Sequence, residues 1–206
     1  MTRIVYIVDE DDSVRHSLAR LLKAEDYQVM DFSSAQTFLS HVFSDVPGCI
    51  ILDMNMPDAD GFDVTEALAR QGRSLPIIFL TGFGTIPLSV RAMRAGAYEF
   101  LTKPAAPDDL LQAVANALQL AEDNFSESRE TQALTERHQA LTPREQEVLT
   151  LAIGGLLNKQ IATALGVSEI TAKVHKRRMM EKMQVRSLTD LVRVADRLNI
   201  NKTQSR

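Results

Sequence analysis

The stretch CIILDMNMPDADG, Cys49 to Gly61, decides how the front of this chain is read. Four apolar residues run in succession and end abruptly in Asp53. More acids, a proline and a glycine follow at once. A strand that is apolar at consecutive positions is buried on both faces, the habit of parallel sheets covered by helices. A carboxylate at the end of such a strand belongs at the sheet's edge, not in its core.

Working outward, the same short apolar runs recur. They predict strands at Ile4–Val8, Gln28–Phe32, Cys49–Asp53, Ile77–Leu80 and Tyr98–Leu101. Helical spacing of apolar residues fills the intervals: Asp12–Glu25, Ser34–Phe43, Phe62–Arg70, Pro87–Ala95, and a fifth helix from about Pro107. Strand and helix alternating at this rhythm predict βαβ units and a flavodoxin-like, doubly wound sheet of five parallel strands. Such sheets bind ligands at the carboxyl ends of their strands. Asp9, Glu10 and Asp11 follow the first strand, Asp53 ends the third, Thr81 ends the fourth and Lys103 follows the fifth. One edge therefore collects them all.

The chain has 206 residues, enough for two domains, and a hydrophobic share of 45%. Its longest apolar runs are too short to span a membrane. The opening MTRIVYIVDEDD is not a signal-peptide pattern, so the cytoplasm is the expected location and no membrane partner is expected. The lone cysteine, Cys49, excludes an internal disulfide and reads as a small core residue. No Cys/His metal spacing occurs. The net charge of −4 conceals an asymmetry: −7 over residues 1–120, −3 over 121–140 and +6 over 141–206. A basic C-terminal third behind an acidic front points to a polyanion met by that third alone.

Residues 121–140 turn polar and helix-favouring without Pro or Gly, which predicts a helical linker, in one form a long helix that pairs with a second chain. Beyond it everything is helical. Thr142, Pro143 and Glu145 form a capping box with a proline start; Gly166 ends one short helix and Ser168 caps the next; Ser187 caps a last one. The division expected is thus 1–120, 121–140 and 141–206, the last an all-α unit of four helices. Two short helices joined through LGVS make a helix-turn-helix candidate. On the second of them, Ala172, Met179 and Met183 share the inward arc, while Lys173, Val174, Arg177 and Arg178 turn outward. Such a face suits the major groove, Val174 meeting a thymine methyl, with Asn158, Lys159 and Thr171 placed to hold phosphates.

Converging acids offer hard oxygen ligands that suit Mg²⁺ or Mn²⁺. Their mutual repulsion favours entry of a cation. Asp53 can then act as a nucleophile toward phosphorus, with Lys103 and the Thr81 hydroxyl on the phosphoryl oxygens. At this point the motifs IVDEDDSVR, LDMNMPDADG, TGFG and AYEFLTKP, in order, resemble the receiver domain of two-component response regulators. The resemblance implies that Asp53 accepts a phosphoryl group from a sensor histidine kinase. It implies a metal site made by Asp9, Glu10, Asp53 and the Asn55 carbonyl, and Thr81 with Phe100 as the switch pair. Self-phosphotransfer and autodephosphorylation would be the only chemistry, so no enzyme proper is implied. Phe83, Thr85 and Ala105 depart from the family's usual residues and bear on phosphoryl lifetime.

The segment from Leu141 to Met183 is similar to the four-helix DNA-binding domain of LuxR-, NarL- and FixJ-type regulators, with TAKVH at Thr171–His175. That implies promoter DNA and RNA polymerase as partners, a homodimer on phosphorylation through Leu191, Val194 and Leu198, and activation of transcription. Two rivals stand beside this reading. A haloacid-dehalogenase-like phosphatase would use Asp9-x-Asp11 after the first strand. A constitutive DNA-binding protein would keep the front domain only as a phosphate-independent dimer module.

Overall fold

The structure, a computed structural model, describes residues 2–82 and 84–200. Phe83 lies outside them. The chain divides into two compact units, Met1–Phe125 and Ser126–Arg206.

The first unit is built on five parallel strands, β1 (Ile4–Val8), β2 (Gln28–Phe32), β3 (Gly48–Asp53), β4 (Ile77–Thr81) and β5 (Glu99–Thr102), in the order β2-β1-β3-β4-β5. Every residue of β1, β3 and β4 is buried, which is why they read as unbroken apolar runs. Period-two alternation still sorts them. Tyr6, Val8, Ile50, Leu52 and Phe79 pack on α2 (Ala35–Leu39), α3 (Gly61–Arg70) and α4 (Ile86–Arg94) through Phe38, Phe62, Leu68 and Ala92. Val5, Ile7, Ile51, Ile78 and Leu80 pack on α1 (Asp12–Ala24) and the front of α5 (Pro107–Gln139) through Leu22, Leu110, Val114 and Leu118. Strand order reverses between β1 and β3, so the ends of these two strands flank the crevice where ligands bind in such sheets.

Predicted and observed elements differ at their ends and in one helix. α2 stops at Leu39, where the spacing predicts a helix to Phe43. Phe43 instead folds back so that its ring meets Tyr6 and Phe38 edge-on, centroids 5.3 and 5.2 Å apart. Aromatic burial outweighs continuation of a short helix. Past Asp53, Met54 and Met56 return to the core and Gly61 opens α3. A Cβ on Gly61 would stand 2.8 Å from Phe79 Cε1 and 3.0 Å from Met54 Sδ, so the loop can turn this tightly only over a glycine.

The linker predicted over 121–140 is the rear of α5, a single helix through Gln139. The second unit adds α6 (Pro143–Ile153), α7 (Asn158–Leu165), α8 (Glu169–Met183) and α9 (Leu188–Arg197) around Val148, Leu149, Ile161, Met179, Met183 and Leu191. Gly166 takes a left-handed φ of 66° between α7 and α8, the conformation that lets the chain turn at a helix end. Thr142 and Glu145 complete the predicted capping box on α6. Glu145 is buried, and its Oε2 accepts from Thr142 N at 2.8 Å and from Lys182 Nζ at 2.6 Å, tying α6 to the end of α8. Burial raises the Glu145 carboxyl's pKa, but the Lys182 and Thr142 hydrogen bonds outweigh it and leave the carboxyl below its usual range.

A folded-state pKa below the unfolded one contributes stability that is present at neutral pH and lost as pH falls through the folded value. Lys182→Met is therefore expected to lower stability to urea by about 1–2 kcal/mol at pH 7. The difference from wild type should shrink as Glu145 takes up its proton. Urea titrations of both proteins from pH 7 to pH 3 measure it.

Candidate phosphoacceptor pocket and DNA-reading helix

The carboxyl edge of the sheet gathers three of the predicted side chains into one cluster. Lys103 Nζ donates to Asp9 Oδ2 at 2.6 Å and to Asp53 Oδ2 at 2.9 Å. Asp9 is 2% exposed and Asp53 7%. Their second oxygens are held by backbone: Asp11 N donates to Asp9 Oδ1 at 2.9 Å and Asn55 N to Asp53 Oδ1 at 3.3 Å. The Asn55 side-chain amide reaches the buried Thr81 hydroxyl at 3.4 Å. Lys103 is placed by its own N–H, which donates to Thr81 O at 2.8 Å and extends the β4–β5 pairing by one residue. Burial pulls the Lys103 pKa down, but its hydrogen bonds to Asp9 and Asp53 and their charges outweigh this and hold it above the ordinary value. It is a fixed cation at neutral pH.

This corrects one expectation. Repulsion between the acids is not left for a metal to relieve, because Lys103 already bridges the two buried carboxylates. Most of the other acids have structural work. Asp11 caps α1, accepting from Ser13 N and Val14 N; Asp12 pairs with Arg15; Asp58 accepts from Gln36 N; Asp60 and Asp63 form the capping box of α3. Asp11 as a helix cap also removes the Asp9-x-Asp11 pair that a dehalogenase-like phosphatase needs. Glu10 is exposed at the rim, and among the described residues no group of three Asp, Glu, His or Cys side chains stands at metal-binding spacing. In kind, the oxygens of Asp9, Asp53 and Glu10 fit a hard divalent cation.

The sequence reading overlooked Arg15. It is buried, and Nη1 donates to the carbonyls of Asp9 at 2.7 Å and Glu10 at 2.9 Å, while Nε lies 3.5 Å from Asp31 Oδ2. One guanidinium thus fixes the acidic loop from behind. The signal for it was an arginine on the apolar side of a helix, preceded by a run of acids. Phe100 is half-buried and packs on the α2–α4 face of the sheet. Thr85 serves as the N-cap of α4. Ala105, with Val14, Leu18, Leu21, Pro104 and Leu110, lines an open groove of ≈ 600 Å³ beside Lys103.

In the second unit Ala172, Met179 and Met183 are buried, and Lys173, Val174, Arg177 and Arg178 are exposed, as the helical arcs predict. Arg177 pairs with Glu181 at 2.8 Å. Lys159 is exposed at the start of α7, whereas Asn158 has its Oδ1 buried. Thr171 is exposed, its hydroxyl 2.8 Å from that of the cap residue Ser168. The dimer prediction needs correction at one residue. Leu191 is 0% exposed and sits in the core of the unit, so its side chain is not offered to a second chain. Val194 and Leu198 are half-buried against the same core, and Leu188 is the exposed leucine of α9.

A 2-1-3-4-5 parallel sheet with an Asp–Lys–Asp cluster at its carboxyl edge, followed by a helix-turn-helix, defines a signal-receiving module joined to a DNA-reading one. The comparisons agree. Residues 5–115 match the response regulator receiver domain, and residues 139–195 match the bacterial regulatory proteins of the luxR family. The chain is 44% identical over 195 residues to response regulator protein TmoT of Ectopseudomonas mendocina, covering 95% of this chain and 89% of that one. It is 37% identical over 193 residues to the transcriptional regulatory protein FixJ of Bradyrhizobium diazoefficiens, 94% of each. The solved structure of the response regulator StyR superposes with a TM-score of 0.84 at 45% identity, over 95% of this chain and 99% of that one. The chain belongs to the two-component response regulators that couple a receiver domain to a LuxR-type helix-turn-helix domain, and transcription regulation is the function this pairing implies. No helix among the described residues is long and apolar enough to cross a membrane.

The pocket makes its own prediction. Two carboxylates keep the half-buried Lys103 charged. Asp9→Asn removes one of them, so the Lys103 pKa should fall from its raised value while the burial that opposes the charge remains. An NMR titration of the labelled lysine side chain, wild type against variant, reads the shift.

Proposed function

We propose that a sensor histidine kinase phosphorylates Asp53 and that the phosphorylated protein, as a homodimer, binds promoter DNA and activates transcription with RNA polymerase in the cytoplasm. The observation that carries this is the Asp53 carboxylate at a strand end, fixed by Lys103 and by the Asn55 N–H, beside the Thr81 hydroxyl.

Asp53 Oδ2 or Oδ1 attacks phosphorus in line with the leaving nitrogen of the kinase histidine, and the proton on that leaving group departs with it. Lys103, already charged, turns from the carboxylate to the phosphoryl oxygens. Thr81 donates its hydroxyl to one of them. Arg15 keeps the backbone of Asp9 and Glu10 in place throughout. Asp9, Glu10, Asp53 and the Asn55 carbonyl would hold Mg²⁺ or Mn²⁺, which supplies charge neutralisation for phosphoryl transfer. Inward movement of Thr81 and Phe100 is the proposed switch, and it must favour the active state by several kcal/mol to change occupancy from rare to dominant. The domain limits 1–120, 121–140 and 141–206 remain our division of labour, with the linker as the rear of one helix. Among the dimer residues we retain Val194 and Leu198, and leave out the buried Leu191.

Asp53→Asn protein should take up no label from radioactive acetyl phosphate with Mg²⁺ present; label on the variant would refute the assignment. Lys173→Ala and Arg177→Ala should each weaken specific promoter binding by about 1–3 kcal/mol, read in footprinting titrations at fixed salt.

A further inference from the structure

The outward face of α8 carries an apolar residue that the functional assignment does not use. Ile170 is 78% exposed, and Val174, one turn further on, is 42% exposed. Taken from the buried Ala172 at 100° per residue, Ile170 falls at about 160° and Val174 at about 200°, the two sides of the point opposite the core. Lys173 and Arg177 lie on one side of the pair and Arg178 on the other, all three exposed. Single exposed apolar residues need no explanation. Two at i and i+4, centred in a cationic arc on the first turns of a helix whose start is fixed by the Ser168 cap, form a surface.

We infer that Ile170 reads the 5-methyl group of a thymine in the major groove, beside the one expected of Val174, and is a specificity-determining residue of this chain. The inference rests on the DNA-reading assignment of α8. The flanking cations select a polyanion, and the one apolar group that a base presents in the major groove is the thymine methyl. The first turns of a reading helix are the part that reaches base edges, and Ile170 sits in the first turn of α8. Glu181, outward and paired with Arg177, marks where the face ceases to suit DNA. Four residues rise about 6 Å along a helix, which places the two side chains over thymines about two base pairs apart.

The test uses the full chain, incubated with acetyl phosphate and Mg²⁺ so that it is phosphorylated, and a duplex obtained by in vitro selection from random DNA. Each thymine of the selected site is replaced in turn by deoxyuridine, which lacks only the methyl. With the wild-type protein, at least two positions should each lose about four-fold in affinity, the worth of one buried methyl group. With Ile170→Ala, at least one of those positions should become insensitive to the replacement, and with Val174→Ala another. Specific binding with no deoxyuridine effect, or an effect unchanged by Ile170→Ala, overturns the inference and leaves the DNA-reading assignment standing. No specific binding at all overturns both. If Ile170→Ala instead alters self-association in sedimentation without DNA, and the deoxyuridine pattern is untouched, the pair is a protein interface and the inference fails.

Discussion

Lys103 joins three strand ends that lie far apart in sequence. Its ammonium bridges Asp9, 94 residues away at the end of β1, and Asp53, 50 residues away at the end of β3. Without that cation two buried carboxylates would repel each other at the edge of an apolar sheet. With it each faces an ammonium at hydrogen-bond distance. A charged, desolvated carboxylate is the form that can attack phosphorus. The sheet order serves this arrangement, because it sets β1 beside β3 and leaves their ends open at the reversal of winding.

The rest of the pocket confines that ion triad. Backbone N–H groups of Asp11 and Asn55 hold the free oxygens, and Arg15 holds the carbonyls of the acidic loop. Asp11, Asp12, Asp58, Asp60 and Asp63 are spent on helix starts, a backbone N–H and an ion pair. The acid-rich stretch that opens with Asp53 therefore divides: Asp53 pairs with Lys103 at the sheet edge, and the acids beyond it begin α3 and anchor the loop over α2. The repulsion that a sequence suggests between neighbouring acids is relieved by separate partners before any ligand enters.

Much of this was legible in the residues themselves. Strand runs such as Ile4–Val8 and Ile77–Leu80 are apolar because both faces are covered, and the cap residues Thr142, Ser168 and Ser187 stand where the chain begins a helix. What was not legible depends on long-range contacts. Phe43 leaves α2 because Tyr6 and Phe38 offer it a better place. Leu191 looks like an interface leucine at helical spacing, yet spacing alone does not say which of two apolar partners covers a face, and here it is the unit's own core. Arg15 stands on the apolar side of α1 in the sequence, but only the fold shows the two carbonyls that it meets. The Lys103 contacts were inferred from position at a common edge; their pairing with both carboxylates was not.

The charge distribution constrains how signal and DNA binding can be linked. Residues 1–120 carry −7 and residues 141–206 carry +6, so the front of the chain repels the polyanion that the rear attracts. Under the proposed function, a phosphoryl group on Asp53 makes the front more negative still, by about one to two charges. Direct electrostatics then opposes DNA binding in the phosphorylated state, and salt screens it only beyond about 8–10 Å. Any gain in affinity on phosphorylation must come from a change of conformation or from pairing of two chains, which doubles the number of reading helices on one duplex. A half-site separation near one helical turn of DNA is the geometry such pairing requires. Under the same proposal, base contacts by exposed side chains of α8 set which promoter is chosen, while the receiver sets only when.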